Sequence, residues 1–172
     1  LDQRDGVLQV GFEGLQDLIE VQRASEPRRT GIQQVEEQAK ELAKIPFDIV
    51  ISSDLERSLQ GARRHADFVG LDVKIDPQWR ERNFGMHEGK PVTEIGFDQQ
   101  DYKTLVKHFY DCDCPGGEYP PAFRNRISKA LHQTSSQYDG KRVVVHTHGG
   151  VIMTAINILL NEKMEFANAR PH

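Results

Sequence analysis

The chain has 172 residues, 37% of them hydrophobic, with 22 Lys and Arg against 26 Asp and Glu for a net charge of −4. That length supplies one domain and enough burial to stand without disulfide or metal staples. The acidic balance excludes a broadly basic nucleic-acid surface. The longest apolar run, residues 151–160, is broken by Thr154 and Asn157 and falls well short of a membrane span. Cys112 and Cys114 are too close in sequence to favour a disulfide. Residues 1–172 are therefore read as a single soluble, intracellular domain of unassigned compartment. The chain opens on Leu1, and its termini are read as trimmed.

In chain order, residues 7–12 (VLQVGF) read as a short apolar strand ended by Gly11 and Gly14. Residues 15–30 are polar and hold Pro27, which predicts a loop. Ile32, Val35, Ala39 and Leu42 recur at helical spacing before Pro46. Residues 47–51 (FDIVI) form a buried strand. Ser52, Ser53 and Asp54 offer a cap for a helix over residues 55–69, which Gly70 closes. A short strand over residues 71–75 completes a β-α-β-α-β order, the signature of an α/β layer fold with a mostly parallel sheet. Residues 76–118 are irregular, apart from a helix near 100–110. A helix over residues 121–138 carries Phe123, Ile127 and Leu131 on one face. Residues 142–147 (RVVVHT) are a buried parallel-type strand. His148-Gly149-Gly150 make a tight turn into a helix over 151–160.

Three segments have the composition of a binding site. In Ile51-Ser-Ser-Asp-Leu-Glu-Arg57 a strand ends at a helix start, where ligands of open α/β sheets bind and where free N–H groups favour anions. Arg57 can add a bidentate grip on phosphate. Taken alone, the segment reads as an ordinary capped helix. Arg80-Glu-Arg-Asn-Phe-Gly-Met-His-Glu-Gly-Lys90 sets the carboxyl of Glu81 between two arginines, where it can donate a proton. Alone, it reads as a solvated loop. His146-Thr-His-Gly-Gly150 puts His148 at a strand exit beside glycines that allow close approach, with His146 inside the strand and nearer the core. His108, Cys112 and Cys114 match no zinc spacing, so no metal is expected.

These pieces, with E-P-x-x-T-G-x-x-Q at residues 26–34 and P-G-G-E at 115–118, resemble the histidine phosphatase superfamily, the phosphoglycerate mutase-like fold, from about Glu26 to Leu160. The loop wording looks closest to its cofactor-independent phosphatase branch. The resemblance implies a three-layer α/β/α sandwich around a mostly parallel sheet. It implies no cofactor, and a reaction in which a histidine of an R-H-G motif attacks phosphorus, arginines and a second histidine hold the oxygens, and a carboxylic acid protonates the leaving group. On this chain it makes Arg57, Ser53 and His148 the phosphate holders and Glu81 the acid. The departure is at the nucleophile. R-H-G occurs nowhere in the chain, and alignment of the first strand puts Gly11 and Phe12 in its place. The leading expectation is a pseudophosphatase that binds a phosphorylated small molecule or a protein partner. The rivals are an active phosphomonoesterase and a structural subunit of a larger assembly.

Overall fold

The computed structural model describes the backbone of residues 5–11, 19–23, 46–90 and 114–168, with side chains for 46–90 and 114–160. The strands are β1 (Asp5–Gly11), β2 (Ile19–Arg23), β3 (Ile49–Ser52), β4 (Val73–Ile75) and β5 (Arg142–His148). The helices are α1 (Glu56–Val69), α2 (Pro120–Gln137) and α3 (Gly149–Asn168), with 3-10 turns at Pro77–Trp79 and Gly85–His87. The sheet order is β2-β1-β5-β3-β4. β3 pairs parallel with both β4 and β5, β1 is antiparallel to β5, and β2 is antiparallel to β1. Among the described strands only β1 therefore runs against the rest, and the sheet is mostly parallel. The predicted helices at 32–42 and 100–110 lie outside the described residues.

Strand alternation divides the core into two layers. Val50 and Val144 face α1, where they meet Ala62 and Ala66. Ile51, Val143 and Val145 face the other way, into Phe123, Ile127 and Leu131 of α2 and Val151, Ala155 and Ile158 of α3. Helices thus cover both faces, giving the three layers. Six consecutive residues of β5, from Val143 to His148, are buried, as befits a strand covered on both faces. Helix α1 buries Ser58, Leu59, Ala62, His65 and Ala66 at helical spacing, and Gly70 closes it at φ 69° with its N–H on the Ala66 carbonyl.

Three local expectations change. Residues 15–30 are not all loop, because Ile19–Arg23 pairs with β1; Ile19 and Val21 alternate within a polar stretch, a weak strand pattern that needed a partner to be seen. No turn separates β5 from its helix: α3 starts at Gly149 directly after His148. None of Ser52, Ser53 or Asp54 caps α1. The cap position is Leu55 and carries no side-chain cap bond, because the three polar side chains are engaged elsewhere. Ser52 Oγ donates to the Ser53 carbonyl at 2.8 Å, and the other two belong to the site below.

The α1 face of the core contains an imidazole pair. His65 Nδ1 and His146 Nε2 are 3.0 Å apart and both rings are buried. The Phe47 ring stands edge-on to His65. Gly61 backs the pair: a Cβ there would meet His146 Nδ1 at 3.6 Å, an ordinary contact. Burial holds His65 down to about 4 and His146 to about 3, the latter further opposed by the charge His65 would carry. On the other flank, the loop around Gly85 interlocks with the P-G-G-E loop. Met86 N–H donates to the Pro115 carbonyl at 3.0 Å and Glu118 N–H to the Asn83 carbonyl at 2.8 Å.

Two predictions follow from these contacts. Unfolded histidines titrate near pH 6.5, whereas the folded pair stays neutral far below that. Stability is therefore full above about pH 6.5 and is lost as pH falls, with the slope ending near the folded values. Denaturant unfolding at pH 5 against pH 7 should show a loss on the order of 2 to 4 kcal/mol, much reduced in His65→Leu/His146→Val; equal slopes for the two proteins would remove the pair as the cause. Gly85 sits at φ +55°, and a Cβ there would lie 2.3 Å from the Pro115 carbonyl oxygen, whereas Gly89 at φ +73° has nothing within 4 Å. Gly85→Ala should cost about 3 kcal/mol or more and Gly89→Ala about 1, read from the same unfolding curves.

Candidate functional site

The parallel strands β3 and β5 end side by side, with Ser52 opposite His146, so the loop after β3 passes the last residue of β5. His148 shares its strand face with Val144 and His146, the face covered by α1. There Ser53 Oγ lies 2.8 Å from His148 Nε2. Ser53 and His148 are 0% and 2% exposed. The Ser53 N–H is spent on the His146 carbonyl at 3.1 Å, so Ser53 offers this pole a hydroxyl rather than the amide anticipated from the helix start.

Glu81 arrives from the loop after β4. Its Oε2 accepts from the Gly150 N–H at 2.9 Å and its Oε1 from the Arg82 N–H at 2.9 Å. The first of these amides is one of the N–H groups that the start of α3 leaves without an intrahelical acceptor. Loss of water raises the Glu81 carboxyl above the ordinary carboxylate range, against the two N–H donors and then the charges of His148 and Arg57. The structure thus brings Ser53, Arg57, Glu81 and His148 to one pole of the sheet. Arg57, in the first turn of α1, stands at the solvent side of that pole and is exposed. Arg80 is already committed there. It grips Asp54 through Nε and Nη2, both at 2.5 Å, which holds the Asp54 carboxyl below its usual range.

The alignment of the first strand put Gly11 and Phe12 in the place of the R-H-G motif. Because β1 is antiparallel to β5, Gly11 pairs with Arg142 at the opposite end of the sheet, and Asp5 is the residue that pairs with His148. Phe12 lies outside the described residues, as do His108 and Cys112; Cys114 is buried. Seven residues of strand separate the two ends of β1, about 20 Å.

Several residues that shape the site were not singled out from sequence. Arg82 is 1% exposed, with Nε on the Glu118 carbonyl at 2.9 Å and its guanidinium over the Phe84 ring at 5.4 Å. Arg126 and Glu118 form a two-pronged pair, 2.8 Å for each bond. His65 occupies a buried position in the period of α1, and that spacing was the available signal. For Arg82 and Arg126 none existed, since a buried arginine in a charged stretch looks like a solvated one.

Known proteins similar to this chain bear on its family and fold. The profile of the histidine phosphatase superfamily (branch 1) matches residues 22–172. Phosphoglycerate mutase-like protein 4 of Arabidopsis thaliana is 36% identical over 126 residues, covering 71% of this chain and 55% of that protein. A protein of Enterobacter sp. strain 638 named "Probable phosphoglycerate mutase GpmB" is 29% identical over 131 residues, covering 76% and 61%. The chain therefore spans less than two thirds of the length of either curated relative. Among solved structures, a mycobacterial glucosyl-3-phosphoglycerate phosphatase superposes with a TM-score of 0.67 at 23% identity, over 92% of this chain and 80% of that one, a likeness of fold. The match over residues 22–172, with the three-layer fold it accompanies, places the chain in branch 1 of the histidine phosphatase superfamily.

Proposed function

We propose that this chain binds the phosphoryl group of a small phosphorylated molecule at the pole formed by Arg57, Ser53, His148 and Glu81, and that by itself it does not turn such a molecule over. The observation that carries the reading is the convergence of these four residues from three separate stretches of chain. Arg57 and the start of α1 supply positive potential on the solvent side. The imidazole of His148, braced by Ser53, supplies a further donor once the ligand reaches it. No metal or cofactor is assigned to the site. Covalent catalysis in the family resemblance requires a histidine that this chain does not contain in an R-H-G motif. Direct attack by water forgoes that route, and loss of a nucleophile commonly costs on the order of a million-fold in turnover.

The second reading, an active phosphomonoesterase, is favoured by one observation. Glu81 is held at the pole with its carboxyl raised by burial, which suits a proton donor to a leaving alkoxide. A protein partner or host assembly remains the alternative use of the same fold.

Calorimetric titration with inorganic phosphate should show binding by the parent chain and at least tenfold weaker binding by Arg57→Ala; equal heats would discard the site. Hydrolysis of para-nitrophenyl phosphate should stay near background. Robust turnover that disappears in His148→Ala would establish the second reading instead. Gly11→Arg with Phe12→His should restore nothing, since Gly11 pairs with Arg142 at the far end of the sheet; a hundredfold gain in that variant would overturn the register argument.

A further inference from the structure

Residues 78–81 run from the 3-10 turn at Pro77–Trp79 to the pole, without a sheet ladder to satisfy their carbonyls. Side chains do it instead. Arg126 Nη1 donates to the Gln78 carbonyl at 2.5 Å and to the Arg80 carbonyl at 2.9 Å, and its Nη2 reaches the Glu81 carbonyl at 3.5 Å. The one carbonyl it skips, that of Trp79, accepts from Thr147 Oγ1 at 2.6 Å. The guanidinium is itself fixed: both its carboxylate bonds go to Glu118, and it lies over the Phe123 ring at 5.1 Å. Glu118 then holds the chain on the other side of Glu81. Its carbonyl accepts from Arg82 Nε and its N–H donates to the Asn83 carbonyl. Residues before and after Glu81 are thus tied to one Arg–Glu pair, and the planar five-donor fork of Arg126 is what lets a single side chain serve three carbonyls and a carboxylate.

We propose that Arg126, locked by Glu118, is the positioning residue for Glu81: it fixes the loop geometry that delivers the Glu81 carboxyl to the Gly150 N–H at the start of α3. Arg126 meets Glu81 only at its main-chain carbonyl, not at the carboxyl. A proton-donor role for Glu81 rests on the second reading above. The positioning does not, because it concerns where the carboxyl sits, whatever it does there. Lysine cannot replace Arg126, since its single ammonium cannot face both the carbonyl row and the two carboxylate oxygens. With the loop released, Glu81 regains water. Its titration then moves down toward the ordinary carboxylate range, and its coupling to Gly150 weakens.

The test is a pH titration by NMR on the full labelled chain, following the Glu81 carboxyl carbon and the Gly150 and Arg82 amide protons. In the parent, both amides should follow the Glu81 titration, and Glu81→Gln should abolish that response. Arg126→Lys and Glu118→Gln should each cut the Gly150 response at least twofold and lower the Glu81 midpoint, with far-UV circular dichroism unchanged. A Gly150 response of parental size and midpoint in both variants would overturn the proposal. So would loss of the fold in both, which would make the pair a support of the domain rather than of one carboxyl. A protein that neither binds phosphate nor hydrolyses an ester still gives this readout, so failure of the functional reading and failure of the positioning are separate results.

Discussion

A strand buried on both faces must find a partner for every polar atom it carries, and β5 sets that condition for the whole domain. Its three valines supply apolar surface to both layers, with Val144 toward α1 and Val143 and Val145 toward α2 and α3. Its next three residues are polar and equally buried. Each recruits a different element: His146 takes His65 from α1, Thr147 takes the Trp79 carbonyl from the turn after β4, and His148 takes Ser53 from the loop after β3. Leaving any of these groups without a partner would cost about 1 to 3 kcal/mol. The polar end of β5 therefore specifies the positions of α1, the Glu81 loop and the β3–α1 loop together. The site lies where these meet.

The same bookkeeping explains why parts of the molecule were legible in sequence. Val143–Val145, the apolar spacing of α2 and Gly70 at the end of α1 are local signals whose tertiary role agrees with their local one. Ser53 and Asp54 looked like caps because their side chains suit that job, but His148 and Arg80 offer partners across the fold. A cap is worth about 1 kcal/mol, a modest amount against satisfying a buried imidazole. The direction of β1 was not legible at all. An alternating apolar strand carries no mark of whether its neighbour runs parallel or antiparallel, and the choice reverses which end meets His148. Arg126 was hidden for a different reason. Its carbonyl partners lie 45 to 48 residues away, and nothing about Arg124 and Arg126 in sequence separates the anchored arginine from its neighbour.

Electrostatic pairing narrows what a ligand can use. Asp54 already occupies Arg80, and Glu118 occupies Arg126. These pairs do structural work at the rim and behind it, so the number of arginines near the pole overstates its attraction for an anion. Arg57 adds positive charge at this end of the sheet, with Glu56 before it in the same turn, and the starts of α1 and α3 add positive partial charge. Glu81 takes up part of the second of these through Gly150.

That last contact bears on how the survival of family site residues should be read. The resemblance makes Glu81 an acid and His148 a phosphate holder, and their presence is easily taken as a sign of turnover. In this fold each also has a structural duty. Glu81 satisfies two amides, one of them an N–H at the start of α3 that would otherwise lack a protein acceptor, and His148 is the buried partner of a buried hydroxyl. Replacing either by an apolar residue leaves polar groups stranded, at a cost comparable to a large fraction of the stability of a small domain. A chain of this fold can therefore keep both residues for that duty alone. Their presence does not by itself separate an enzyme from a protein that only binds.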